Sequence, residues 1–258
     1  MDAYADETAI EADGVIDEVL QLLTSTDPED RIEAAGVMCE WVNSAYGDVG
    51  SALGAAMRQK GGVPVLAKLW SDHELLVKQR SLLILGNLCS DSVDAESGET
   101  KEILLQCRAE HALLACANSD DPTVLLLACA ALQNLCQDVG WAHAVMECGF
   151  LPRLEVLVRH EDTNVVRYVA GALQNLVIGN EENQKQIANG LVELLRTGSA
   201  TVWSTSSWQS SAGCISALTA GAASGVAQRT PAGSRAPHIP LQPASHRRTS
   251  RIICVTNL

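Results

Sequence analysis

The five residues Ala-Leu-Gln-Asn-Leu occur twice, at Ala131–Leu135 and at Ala172–Leu176, 41 residues apart. A word repeated at that period marks copies of one supersecondary unit. Such a unit buries its apolar face only against neighbouring copies. The chain is thereby confined to a stack of modules with a long open surface, which suits other macromolecules better than an enclosed small substrate. Markers outside the word keep the same register. Glu74, Asp121 and Asp162 stand 13 residues before Asn87, Asn134 and Asn175, and Asp27 stands 13 before Glu40. Those four acids are 47, 47 and 41 residues apart. Gly14, Gly61, Gly149 and Gly190 obey the same steps, while Arg108 takes the glycine position of the third unit, so that turn should depart from the pattern.

Within a unit the apolar period is helical. Leu125, Ala128, Cys129, Leu132 and Leu135 follow an i, i+3, i+4 rhythm, as do Val165, Val169, Ala172, Leu173 and Leu176. Asp27-Pro28 and Asp121-Pro122 are helix starts, an N-capping acid followed by proline in the first turn. Shorter helices are predicted over Val63–Leu69 and Leu151–Leu157, and further helical stretches over Lys101–Arg108, Ala142–Glu147 and Glu182–Ala188. No segment alternates polar and apolar residues, so no sheet is expected.

Three helices in 41–47 residues match the armadillo and HEAT class of period. Gly190-Leu191-Val192-Glu193-Leu194-Leu195 resembles the opening of an armadillo repeat. Ala170-Gly171-Ala172-Leu173-Gln174-Asn175-Leu176, followed by Asn180-Glu181-Glu182-Asn183-Gln184, resembles the armadillo phrase A-G-A-L-x-N-L … N-x-E-N. The resemblance covers about residues 14–200. It implies an all-α right-handed superhelix, an α-solenoid of about four to five repeats. The units would be 14–60, 61–107, 108–148, 149–189 and a partial 190–203, between an acidic segment 1–13 and a tail 204–258.

Charge divides the chain at the same place. Residues 1–193 hold all 31 acids against 12 Lys and Arg, whereas residues 194–258 hold six Arg and no acid. The tail is rich in Ser, Ala, Gly, Pro and Arg and too poor in periodic apolar residues to support a core. Two accounts of it stand: a genuine disordered tail, or translation in a shifted frame or through an intron. The nine cysteines contain no Cys-x-x-Cys pair, and Cys116, Cys129, Cys136 and Cys148 lie in or beside apolar helical stretches, which reads as core packing. The first 30 residues carry ten acids and no Lys or Arg, the reverse of a secretory signal. No run is long and apolar enough to span a membrane. A cytoplasmic or nuclear monomer in a reducing compartment is expected.

The resemblance also nominates residues. In the armadillo protein importin alpha, an asparagine ladder on the third helix of each repeat grips an extended peptide backbone; Asn87, Asn134 and Asn175 hold the matching places, with Glu40 in the first unit. An amide can pair with both peptide N–H and C=O. The competing reading is that these amides tie the adjacent inter-helix turn. Four residues before the ladder, where importin alpha places tryptophan, stand Gly36, Leu83, Ala130 and Gly171, none of them aromatic. Seven residues before it stand Glu33, Arg80, Leu127 and Tyr168, a mixed surface; Asp91 and Asp138 follow it by one turn. The acid-rich stretch Asp91–Glu99 reads either as a lure for a basic partner or as a solvated loop.

Enzyme readings find little. His73, His111, His143 and His160 show no ligand spacing, so neither a metal site nor a cofactor is expected. The acidic repeat region lacks the basic face that nucleic-acid binding needs. Arg247-Arg248-Thr249-Ser250 has the form of a basophilic kinase site with Ser250 as acceptor, a match that chance also produces. The expected activity is non-catalytic: a protein-interaction scaffold binding an extended or helical partner segment through Asn87, Asn134, Asn175, Glu40, Arg80, Tyr168 and Asp138. Two alternatives remain, a transport-type adaptor for basic cargo and a chaperone-associated cofactor.

Overall fold

The computed structural model describes residues 14–178 and 180–197. The acidic segment 1–13, residues 198–203 of the partial unit, and the tail 204–258 with Ser250 lie outside the described residues. Helix α1 runs through residues 14–23. It is followed by α2 (Pro28–Ser44), α3 (Asp48–Gln59), α4 (Gly62–Leu69), α5 (Leu75–Leu88), α6 (Ser97–Gln106), α7 (Ala109–Ala117), α8 (Pro122–Leu135), α9 (Val139–Glu147), α10 (Leu151–Leu157), α11 (Thr163–Val177) and α12 (Glu181–Thr197). No strand occurs among the described residues. The helices group as three-helix modules, α3–α5, α6–α8 and α9–α11, with α1 and α2 before them and α12 after. The long third helices α2, α5, α8 and α11 pack side by side down the stack.

Local chemistry starts these helices where the acid markers predict. Asp27 accepts from Glu29 N–H at 2.9 Å, Asp121 from Val124 N–H at 2.7 Å and Asp162 from Asn164 N–H at 2.8 Å. Glu74 is the exception: its side chain makes no cap, and Asp72 instead accepts the Glu74 N–H at 2.8 Å. In each module a left-handed residue separates the first helix from the second: Gly61 (φ 70°), Arg108 (φ 54°) and Gly149 (φ 86°). Arg108 therefore keeps the turn that its identity was expected to lose, at a steric cost of about 1–2 kcal/mol for a residue with a Cβ. At Gly190 no such turn occurs. Helix α12 runs unbroken through it, merging two helices that stay separate in the earlier modules.

Packing is tightest between the central third helices. Residues 81–88 of α5 are all buried, and so are Val124, Leu125, residues 127–132, Asn134 and Leu135 of α8. The stripe read from the sequence is one side of helices that are buried nearly all round. Leu82, Leu83, Ile84, Leu85 and Leu88 are each 0% exposed, and burial of each contributes about 1.5–3 kcal/mol. A Cβ on Gly86 would lie 3.3 Å from that of Ala131, so α5 and α8 meet almost backbone to backbone. Polar ties repeat from module to module. Arg31 forks onto Asp72 at 2.9 and 3.2 Å, and one module on Gln79 Nε2 donates to Asp121 at 3.1 Å. The buried Trp141 donates its indole N–H to the Lys101 carbonyl at 2.7 Å, and Arg153 Nε reaches the Ala117 carbonyl at 2.7 Å.

In the acid-rich stretch Asp91, Glu96 and Glu99 are exposed, as a solvated loop would have them, whereas Asp94 is not. Asp94 is 0% exposed and ion-pairs with Arg58, which also donates to Thr100 Oγ1 at 3.0 Å and pairs with Glu99 at 3.0 Å. Val93 is buried, and Ala95 N–H donates to Ser51 Oγ at 3.1 Å. Helix α3 is shaped for this strap: a Cβ on Gly50 would overlap the Val93 carbonyl oxygen, and one on Gly54 the Asp94 carboxylate. The seven described cysteines are free thiols. Burial pushes Cys39, Cys89 and Cys129 up to about 12 and Cys116 up to about 11, the mark of core residues rather than nucleophiles.

Candidate partner-binding groove

The ladder begins with a problem at helix ends. The last carbonyls of an α-helix have no intrahelical partner. In α5 the Ser90 N–H that would take the Gly86 carbonyl turns instead to Asn87 O at 2.9 Å. Asn134, in the next module, supplies what is missing by donating Nδ2 to Gly86 O at 2.9 Å. The same substitution recurs one module on. Gln137 N–H goes to Asn134 O at 3.4 Å, and Asn175 Nδ2 takes the Gln133 carbonyl at 2.8 Å. At the end of α11, Asn183 Nδ2 caps the Leu176 carbonyl at 2.9 Å. The ladder amides thus serve as C-caps supplied by the following segment of the stack.

Asn87 shows the rule by its exception. The equivalent acceptor in the preceding module is the Cys39 carbonyl. Helix α2 continues to Ser44, so that carbonyl already receives its own helix's Asn43 N–H. Asn87 Nδ2 is consequently buried without a hydrogen-bond partner, in a residue only 2% exposed.

The other nominated residues divide by exposure. Arg80 is half-buried and donates Nη1 to the Ile32 carbonyl across the module boundary. Tyr168 is buried, with the Arg167 guanidinium 4.8 Å from its ring centroid. Asp138 is the N-cap of α9, accepting from Trp141 N–H at 3.0 Å. Glu40 and Glu33 are exposed on α2, whereas Leu127 is buried. The structure therefore draws Arg80, Tyr168, Asn87 and Asn134 into the stack. It leaves Glu40, and in part Asn175 and Asp138, on the surface.

The column that lacks tryptophan is filled from within. A Cβ on Gly36 would lie 3.1 Å from Arg80 Nη1, and one on Gly171 would lie 2.7 Å from Gln133 Cδ. Leu83 and Ala130 are 0% and 3% exposed. Where aromatic shelves would stand, a side chain of the adjacent module or the helix contact itself occupies the space.

A concavity lies at the C-terminal ends of α8 and α11. Cys136, Gln137, Val139, Ala142, Asn175, Ile178 and Asn180 line a cavity of about 160 Å³ between the α8–α9 junction and the α11–α12 junction. Two of its walls, Val139 and Ile178, are 72% and 62% exposed. Of these residues the sequence nominated only Asn175 for partner binding, while Cys136, Ala142 and Asn180 entered it in structural roles. The missed signal was two aliphatic residues just past the ends of the third helices, out of register with the core stripe.

Among the described residues no group of three or more His, Cys, Asp or Glu side chains could hold a metal ion, and no helix is long and apolar enough to cross a membrane. Comparison with known proteins identifies the repeat. The family model for the armadillo/beta-catenin-like repeat matches residues 142–178. Human and mouse plakophilin-3 are each 33% identical over 82 residues, 31% of this chain but only 10% of their own length. The chain therefore aligns with about a tenth of those relatives. Among solved structures, a designed armadillo-repeat protein in complex with the peptide (KR)4 superposes with a TM-score of 0.68 at 18% identity, covering 82% of this chain and 84% of that one. A computationally designed armadillo-repeat protein for modular peptide recognition gives 0.64 at 19% identity, over 81% and 84%. The helix order and these superpositions give the chain an armadillo-type α-solenoid fold, and residues 142–178 match the armadillo repeat itself.

Proposed function

We propose that this chain is a non-catalytic scaffold that holds an extended protein segment along the face formed by α2, α5, α8 and α11. Binding concentrates in the half of that face around Asn175. The observation that carries the reading is the contrast within one column. Asn87 and Asn134 are buried in the stack, whereas Asn175 is half-buried and lines an open cavity. Asn175 commits Nδ2 to Gln133 O, and an amide keeps a second N–H and its oxygen for a backbone group. Gln137, exposed nearby, offers a further amide, and Gln174 is exposed one residue before Asn175. The designed armadillo proteins for modular peptide recognition support a peptide-binding role for such a face.

The filled tryptophan column argues against a grip built on stacked Lys and Arg stems. A basic segment is still favoured by charge, through exposed Glu33 and Glu40 at one end and Glu181 and Glu182 at the other. Selection of the full chain against a random dodecapeptide display library tests the reading. The expected result is a set of related peptides binding at one to one in calorimetry and weakened by Gln137→Ala with Gln174→Ala. Failure to enrich any peptide, or binders indifferent to both substitutions, would remove the groove as the working surface.

A further inference from the structure

We infer that the cavity beside Asn175 is a pocket for one aliphatic side chain of a partner segment that carries Lys or Arg on both flanks. This rests on the groove reading and adds the chemistry of the partner. Size comes first. Small-molecule sites run to roughly 300–1,000 Å³, and this cavity, at about 160 Å³, suits a single side chain. Its walls come next. Val139, Ala142, Ile178 and Cys136 make an apolar lining, and Val139 and Ile178 stand 72% and 62% exposed although large aliphatic side chains gain by leaving water. Their exposure is not required by the fold, because the core stripes of α8 and α11 end at Leu135 and Leu176.

The polar groups are placed to fix a backbone rather than a ligand head. Asn175, Gln137 and Asn180 share the lining with these aliphatics. Asn180 Oδ1 already caps Asn183 N–H at 3.0 Å, and Asn175 Nδ2 already holds Gln133 O, so both amides are oriented before anything binds. An extended chain passing over them can seat one side chain between Val139 and Ile178 while its own amides meet Asn175 and Gln137.

Charge selects the flanks. Asp138 immediately precedes Val139, and the exposed Glu181 and Glu182 immediately follow Asn180, so carboxylates border the cavity at both junctions. Against them Lys185 stands one turn further along α12. The local field is negative, and it draws cationic residues placed before and after the aliphatic one.

The test compares two fluorescein-labelled peptides on the full chain at low salt: (KR)4, and the same peptide with one central Leu inserted. Seating a leucine is expected to tighten binding about tenfold or more. The double variant Val139→Ser/Ile178→Ser changes two exposed side chains and leaves thermal melting in place. It is expected to abolish the preference for Leu, read as the ratio of the two affinities in the variant against that in the parent. Equal affinity for both peptides, a preference that survives the double variant, or no binding of either peptide overturns the pocket. Survival of library-selected binders under any of these results separates loss of the pocket from loss of the groove.

Discussion

Replacing Asn134 by Ala and Asn87 by Ala is the same chemical change at equivalent positions of adjacent modules, and it should have different consequences. Asn134 is 7% exposed and its Nδ2 holds the Gly86 carbonyl at 2.9 Å. Truncation leaves that carbonyl buried and unpaired, which costs about 1–3 kcal/mol. Asn87 has no acceptor to lose, since α2 satisfies Cys39 internally. Its truncation removes a desolvated donor that was already a liability, so it carries only the packing loss that Asn134→Ala shares and none of the cost of an orphaned carbonyl. The two variants should therefore differ by about 2 kcal/mol, or about 1 M in urea midpoint at a slope of about 2 kcal/mol/M. Denaturation followed both by circular dichroism and by fluorescence of the buried Trp70 and Trp141 measures this. Coincident transitions are required for the comparison. Equal destabilisation of the two variants, or a larger loss at Asn87, would refute the trans-capping argument.

Gly54→Ala should evict the Asp94 carboxylate and leave the buried Arg58 only Glu99 and Thr100 as partners, at about 1–3 kcal/mol; a melt close to that of the parent would show that the strap is not docked as described. Arg108→Gly should stabilise by about 0.5–1 kcal/mol, because an exposed residue gives up a left-handed strain; an unchanged or lowered urea midpoint would contradict this. Burial raises the Cys39, Cys89 and Cys129 thiols to about 12, so each contributes stability that is complete below the unfolded value near 9 and is lost as pH climbs towards 12. Alkaline titration should unfold the chain in that window, and thiol labelling at pH 8 should modify exposed Cys107 long before these three. At Asp72 burial pushes the carboxyl upward, but hydrogen bonds from Arg31 and the Glu74 N–H, with the Arg31 charge, leave it below its ordinary value. Its contribution is present above the unfolded pKa and lost as pH falls. Asp72→Asn should therefore flatten the acid limb of the stability profile.

The architecture was legible because it is repetitive. A register kept by Asp27, Glu74, Asp121 and Asp162 and by the ladder residues fixes three-helix modules without any need for long-range information. The predicted helix over Leu151–Leu157 has those bounds in the structure, and Val63–Leu69 begins one residue late. What stayed hidden depends on geometry between modules. Nothing in Leu-Gly-Asn-Leu says that Asn87 would lose its acceptor, because the cause is the extra turn of α2. The burial of Asp94 stayed hidden because it looks as solvated as the exposed Asp91, Glu96 and Glu99 until Gly50 and Gly54 are seen to clear a seat for the strap on α3. The absence of tryptophan at Gly36 and Gly171 was visible, but not that Arg80 and Gln133 fill the space. Gly190 carried an armadillo-like opening, yet glycine permits a turn without enforcing one, and α12 passes straight through it.

Hydrogen exchange on the full chain, with and without a saturating library-selected peptide, bears most directly on the claim that this stack works through the face around Asn175. Protection should appear at the α8–α9 and α11–α12 junctions, over Gln137–Ala142 and Gln174–Asn183. Protection confined to α4, α7 and α10 would contradict it.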